Sequence, residues 1–231
     1  MPTIVFACPK GGVGKTTSAL LLALQLAKVY PVTVIDADPN NPITRWATGD
    51  TEPKKLGANV PKSLSVVWGA DEDNIIDLIE DAASKTAFVV VDLEGTASKI
   101  VLMAISQADF VIIPTQGSEL DANEASRAIR VVKQHDKMTR TAMPFAVLLT
   151  RTNSQIRARN LTHIQKSLIG AGIPVLETEL NEREAFKSIF VFRETLDGLN
   201  PTDVANLDKA KQNVEEFAAE IIDKLSKRLA A

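Results

Sequence analysis

Residues 3–17 read Thr3-Ile4-Val5-Phe6-Ala7-Cys8-Pro9-Lys10-Gly11-Gly12-Val13-Gly14-Lys15-Thr16-Thr17. A short apolar, β-prone run gives way to three glycines and two lysines, and a helix-forming stretch follows from Thr16 to Val29. Glycines let a backbone curl with its N–H groups inward, making a nest for phosphate oxygens. The helix behind adds its first-turn donors and the positive end of its dipole. In such a loop Lys15 reaches the terminal phosphates, and the Thr16 hydroxyl can hold a Mg²⁺ ion.

Working outward, strand-like and helical patterns alternate along the chain. Strands are expected at Thr3–Cys8, Val32–Ile35, Leu64–Trp68, Phe88–Val91, Phe110–Pro114 and Phe145–Thr150, with a weaker run at Ile173–Leu176. Helices are expected at Asp71–Ser84, Ser98–Gln107, Glu119–His135, Gln155–Ile169 and Thr202–Leu229. The strands are continuously apolar, as in a parallel sheet covered on both faces. The pattern predicts one α/β domain over residues 1–231, a doubly wound, mostly parallel sheet flanked by helices. Residues 40–62, rich in proline and glycine, read as the least ordered stretch, either a surface excursion or a functional loop.

Two further segments place carboxylates where a phosphate loop needs them. Asp36-Ala37-Asp38-Pro39-Asn40 closes the second strand, and alternate positions there point to one side. Phe88-Val89-Val90-Val91-Asp92 delivers a single carboxylate at the carboxyl end of a buried strand, where ligands bind in open α/β sheets. Asp92 there is suited to a Mg²⁺ ion, held through water.

The 231 residues carry 26 Lys or Arg against 29 Asp or Glu, a net charge of −3. One cysteine, Cys8, excludes a disulfide framework and a multi-thiolate iron–sulfur centre within the chain. No stretch has the length of a membrane span, and no signal-peptide pattern opens the chain, which predicts a soluble protein of a reducing compartment. The charge is uneven: residues 1–122 sum to −6, residues 123–193 to +6 and residues 194–231 to −3. The basic block includes Arg127, Arg130, Arg151, Arg183, Lys187 and Arg193. It is either a set of ordinary solvated helix faces or a surface for nucleic-acid phosphates.

Pro9 stands where a strict phosphate loop has its first glycine, and an extra lysine, Lys10, opens the loop. This form resembles the deviant Walker A loop of the ParA/MinD family of P-loop ATPases. The resemblance implies ATP and Mg²⁺ as ligands, with contacts from Lys10, Gly11, Gly12, Val13, Gly14, Lys15, Thr16 and Thr17. It implies that Lys10 reaches across a nucleotide-sandwiched homodimer to the partner's phosphates. It also implies that Asp38 positions the attacking water, while Asp36, with Thr16 and Asp92, serves the metal. The segment Leu93-Glu94-Gly95-Thr96 departs from the family's usual Asp-x-Pro-Gly through Glu94, whereas Gly95 can still offer its backbone N–H. Pro114-Thr115-Gln116 and Thr150-Arg151-Thr152-Asn153 also look like the family, the latter like a segment near the adenine. Asn153 either pairs with a base edge or caps the following helix.

Within the family, an iron–sulfur carrier needs more thiols than Cys8, and a tyrosine-kinase relative needs a tyrosine-rich tail, whereas Tyr30 is the only tyrosine and the tail has none. The last helix has an apolar stripe at Val214, Phe217, Ile221, Leu225 and Leu229, but mixed charge on its polar face, so core packing is expected over membrane binding. The chain resembles short ParA proteins without an N-terminal helix-turn-helix domain. That resemblance implies a cytoplasmic, nucleoid-associated bacterial DNA-partition ATPase that binds duplex DNA non-specifically in its ATP state. Release would follow hydrolysis stimulated by a ParB-like centromere-binding partner. Arg183, Lys187, Arg193 and Lys211 lie in the region that such proteins use for DNA. Asn41–Trp46 and Asp92–Gly95 also resemble ParA-like recruiters of relaxase–DNA complexes in conjugation; Trp46 is then an interface anchor or a packed loop residue. A MinD-like positioning ATPase is the alternative from another class.

Overall fold

β-branched and other apolar side chains buried on both faces of a sheet turn most of the expected runs into strands. The computed structural model describes residues 1–49, 54–94, 99–117, 119–153 and 159–229. The strands are β1 (Thr3–Phe6), β2 (Val32–Ala37), β3 (Leu64–Val67), β4 (Phe88–Leu93), β5 (Phe110–Thr115), β6 (Phe145–Thr152) and β7 (Leu180–Asn181). All pairings are parallel, in the order β3-β2-β4-β1-β5-β6-β7. The helices are α1 (Lys15–Leu26), α2 (Pro42–Thr48), α3 (Ile75–Lys85), α4 (Lys99–Ser106), α5 (Glu119–Thr139), α6 (Arg159–Gly170), α7 (Glu184–Val191) and α8 (Leu207–Leu229).

Alternate strand residues feed two cores. Ile4, Phe6, Val34 and Val90 pack with α1, α2, α7 and α8 on one face. Val5, Ile35, Val91 and Val147 pack with α3, α4, α5 and α6 on the other. Val214, Phe217, Ile221 and Leu225 of α8 are buried in the first core, so these four members of the stripe are core packing, as expected; the side chain of Leu229 lies outside the described residues. Among the described residues, no helix is long and apolar enough to cross a membrane.

Three elements differ from the sequence reading. Residues 42–48, within the stretch expected to be least ordered, form α2. Its own N-cap, Asn41, makes no side-chain cap. Asp36 of β2 supplies the cap instead, accepting the Thr44 N–H at 2.7 Å and the Thr44 hydroxyl at 2.8 Å. Trp46 of α2 is buried, with its indole N–H donating to the Glu194 carbonyl at 3.2 Å, so it is a packed residue. The second difference is α7, which the sequence pattern did not mark. The third is the last strand: Ile173–Leu176 gives only a bridge between Val147 and Val175, and β7 lies four residues later. Asn213 of α8 closes the outer side of β7. Its amide oxygen accepts the Asn181 N–H at 3.0 Å, and its NH₂ donates to the Glu179 carbonyl at 2.7 Å.

Candidate nucleotide-binding site

β1 lies between β4 and β5, at the point where the strand order reverses, and the glycine loop leaves its carboxyl end. The loop needs glycine at two positions where φ is positive, +77° at Gly12 and +90° at Gly14, a conformation that costs other residues. Neighbouring strands brace it. The Gln116 amide donates to the Gly12 carbonyl at 2.8 Å. The Thr150 hydroxyl donates to the Val13 carbonyl at 2.8 Å, with the Thr115 carbonyl a second acceptor at 3.1 Å. These contacts tie up loop carbonyls and leave the N–H side for an anion. They give a structural role to Thr115, Gln116 and Thr150, for which the sequence offered only likeness.

Lys15 is buried, and its Nζ donates to the Lys10 carbonyl at 3.0 Å. The ammonium is thus held on the loop itself, within reach of anything bound there. Gly11, Gly12, Gly14, Lys15, Thr16 and Thr17 share a cleft of about 330 Å³ with Asp38, Asn40, Glu94 and Arg151. Asp38 is half-buried; its Oδ1 accepts the Asn40 N–H at 2.8 Å and the Asn40 NH₂ at 2.9 Å, a turn that fixes the carboxylate at the cleft. Glu94 faces the same cleft. Gly95 lies outside the described residues.

Asp36 and Asp92 stand directly opposite each other on β2 and β4, so both carboxylates fall on the same side of the sheet. Both are buried. Among the described residues, neither Asp92 oxygen nor Asp36 Oδ1 has a hydrogen-bond partner of ordinary geometry, although the Thr16 hydroxyl lies close to Asp92. Burial pushes the Asp92 carboxyl up to about 7, with the charge of Asp36 adding to the rise; nearby Thr16 and Lys15 oppose it. Burial likewise raises Asp36, against the two hydrogen bonds from Thr44. Buried carboxylate oxygens without partners, beside a threonine hydroxyl, form a set of hard oxygen donors. They fit Mg²⁺, which takes one or two carboxylates and keeps waters and phosphates for its other positions.

A second cavity, about 270 Å³ and more apolar, adjoins the first and shares Gly14, Thr17 and Arg151 with it. Ser18, Leu180, Asn181, Phe186 and Phe190 also line it. Asn181 is fixed by donating to the Thr152 hydroxyl at 2.8 Å and accepting from Arg183 at 3.1 Å. Arg151 touches both cavities from a bulge in β6, with φ of +51°. Sequence reasoning missed this placement, since nothing local marks a left-handed arginine. Asn153 is exposed and lines neither cavity.

The four residues read as DNA contacts are not gathered on one open face. Arg183 lines the apolar cavity, with its Nε buried and without a hydrogen-bond partner among the described residues. Arg193 donates to the Trp46 carbonyl at 3.2 Å and packs on Gly49, so it clamps the end of α2. Lys187 pairs with Glu182 at 3.2 Å, and Lys211 with Asp197 at 2.9 Å. Cys8 is buried, as its place beside β1 predicts.

Comparison with known proteins gives the same picture. The family model described as VirC1 protein matches residues 1–218. Protein ParA of Rhizobium radiobacter is 35% identical over 230 residues, covering 99% of this chain and 100% of its own. Protein virC1 of Rhizobium rhizogenes is 30% identical over 194 residues, covering 82% and 80%. In fold, the chain is similar to apo McdA of Cyanothece, with a TM-score of 0.76, 19% identity and coverage of 94% and 98%. It is also similar to a ParA family ATPase from Chlorobium tepidum, with a TM-score of 0.74, 17% identity and coverage of 94% and 98%. On its phosphate loop, its opposed carboxylates and these end-to-end matches, the chain belongs to the VirC1/ParA family of ParA/MinD-type P-loop ATPases.

Proposed function

We propose that this protein is an ATP-switched, DNA-binding partition ATPase, in which ATP and Mg²⁺ join two subunits and hydrolysis releases them. The observation that carries this reading is the opposed pair Asp36 and Asp92, buried without full partners behind a phosphate loop that has Lys10 at its mouth. Thr16, Asp92 and the unpaired oxygen of Asp36 would hold Mg²⁺, whose chemistry is to neutralise charge on the phosphates. Lys15 leaves the Lys10 carbonyl for the phosphate oxygens. Asp38, fixed by Asn40, orients the attacking water, since phosphoryl transfer needs positioning more than a strong base. The apolar cavity takes the nucleoside, with Arg151 at the junction between base and phosphates. A switch of this kind requires that ATP favour the dimer over the monomer, and Lys10 supplies that difference in trans. A ParB-like partner would stimulate turnover, and the protein would act in the bacterial cytoplasm on the nucleoid. The resemblance of Asn41–Trp46 to conjugative relatives supports a second reading of the cargo, a relaxase–DNA complex.

The test is duplex-DNA binding by fluorescence anisotropy with no nucleotide, ADP and ATP. Binding confined to ATP is expected; equal binding in all three states would overturn the switch. Asp38→Ala should bind ATP, remain dimeric and lose at least about 100-fold in turnover; turnover at the parent rate would reject its role.

Arg151 offers a separate check. Glycine at φ +51° relieves backbone strain, so Arg151→Gly should melt no lower than the parent, and up to about 1 kcal/mol more stable. Its affinity for both ATP and ADP should nevertheless fall about tenfold, the loss of one charge-assisted contact. Unchanged affinity in fluorescent-nucleotide titrations would remove Arg151 from the site.

A further inference from the structure

The net charge of +6 over residues 123–193 is not spread evenly in space. Most cations on the α7 and α8 side are engaged: Lys187 with Glu182, Lys211 and Lys28 with Asp197, Lys224 with Glu220 and Arg193 with a carbonyl, while Lys209 is exposed by itself among the described residues. Helix α5, on the opposite face of the sheet, differs. Arg130, Lys133 and Lys137 are exposed along it, and Arg140 is exposed just beyond its end. At 100° per residue, the three helical cations fall within an arc of about 60°, and Arg140, just past the last turn, extends the line to about 15 Å. None of the four has an ion-pair partner among the described residues.

The acids nearby do not cancel this stripe. Glu124 is taken by Arg127 at 3.0 Å. Asp136 accepts the Met143 N–H at 2.8 Å, and its neighbour on the buried side is His135, at 3.7 Å. The next helix, α6, packs against the same core and has an exposed Lys166, with no Asp or Glu between residues 159 and 170. Along this part of α5 and α6 the exposed cations therefore outnumber the acids.

We infer that the α5 stripe, Arg130, Lys133, Lys137 and Arg140, is the surface that grips duplex DNA. This rests on the DNA-binding reading above and locates the contacts away from Arg183, Lys187, Arg193 and Lys211. A line of 15 Å spans about four phosphates of one strand at 3.4 Å of axis each. An anionic membrane is the poorer fit, because Met138 is the one large apolar side chain exposed between the cations among the described residues and no aromatic is among them; interfacial helices insert a continuous row of apolar rings or leucines. The stripe is also placed to respond to nucleotide. Asn123, Glu124 and Arg127, one turn before it, line an open cleft of about 560 Å³ with Pro9, Lys10 and Gly11. Subunits that meet at Lys10 would bring two stripes toward one duplex and double the number of phosphates neutralised.

The test is a salt titration of DNA affinity in ATP and Mg²⁺. With four contacts per subunit, the dimer should show a slope of log affinity against log salt near −7, from about −0.9 per phosphate. Combined substitution Arg130→Gln, Lys133→Gln, Lys137→Gln and Arg140→Gly should flatten the slope and weaken binding at least about 100-fold, while fluorescent-ATP binding and dimerisation stay at parent values. The pair Lys187→Gln and Lys211→Gln should change affinity less than about threefold. Should the combined variant fold poorly, Arg140→Gly alone decides, because glycine suits φ +57° there; it should lower the slope by about 2 without lowering the melting temperature. A parent-like slope in the α5 variants would overturn this assignment and leave the DNA reading standing. Absence of DNA binding by the parent protein would sink both. Binding of the parent to phosphatidylglycerol vesicles but not DNA, lost with the α5 residues, would make the partner a membrane and overturn the choice of duplex.

Discussion

Lys10→Ala protein is expected to bind ATP within about threefold of the parent and yet stay monomeric when ATP and Mg²⁺ are added. Partner-stimulated turnover should drop on the order of 10³-fold, the scale of losing a cation supplied in trans to a phosphoryl-transfer site. The geometry separates the two lysines of the loop. Lys15 is buried and held over the nest, where it serves its own subunit's nucleotide. Lys10 borders the open cleft on the α5 side, where Asn123 and Arg127 also look outward. Its backbone carbonyl, which receives Lys15, is unaffected by shortening the side chain. Light scattering with and without ATP reads the result directly. A Lys10→Ala protein that dimerises normally would show that the loop's first lysine acts within its own chain.

The second large effect is expected at Asp92. In the ligand-free protein, its carboxyl is pushed up to about 7 from an ordinary 3.8 by burial. A group raised in the folded state contributes stability that is fully present below about pH 4 and is lost as pH rises through 7. The parent chain without nucleotide should therefore lose stability between pH 4 and 7 on account of this residue, by at most about 4 kcal/mol. Asp92→Asn keeps the shape and removes the charge. At pH 8 it should melt several degrees above the ligand-free parent, and the two should converge toward pH 4. With ATP and Mg²⁺ the order should reverse, because the parent gains from a cation beside Asp92 and the variant does not. Turnover should fall at least about 100-fold. Parallel melting profiles from pH 4 to 8 would show that Asp92 is already ionised in the ligand-free fold. This behaviour has the form of a metal site: charge that is costly until its counter-ion arrives.

What the sequence made legible follows from how local each signal is. The loop from Lys10 to Thr17, and the carboxylates Asp36 and Asp92, sit at ends of continuous apolar strands, so run length alone places them near one another. Helix α2 was hidden because its cap comes from Asp36 on another element and its far end is held by Arg193, well over a hundred residues away. No window of residues 40–62 contains either partner. Strand β7 is two residues long, and its hydrogen bonds go to β6 and to a side chain of α8; the more β-prone run at 173–176 outweighs it in any local reading. Helix α7 carries Phe186, Ile189, Phe190 and Val191, a composition that suits a strand as well as a helix. The role of Arg151 depends on a left-handed backbone at a bulge, which only the pairing of β6 with β7 reveals. For the basic residues, sequence marks the stretch of chain but not which side chains stay exposed. Arg183 and Arg193 are turned inward by contacts with Asn181 and Trp46, whereas the spacing along α5 keeps its cations in one line.

Asn213 has an effect beyond holding β7. By giving both an acceptor and a donor to the Asn181 N–H and Glu179 carbonyl, its amide stands in for the peptide group of an eighth strand. A sheet grows into a fibre only if it presents a bare margin at each side, since every added molecule must offer a fresh one. Here β7 is capped and β3, four residues long, is the margin left. Strand-to-strand contact between copies through these margins would stop at a pair, so one side chain of α8 supplies a block against fibrous growth.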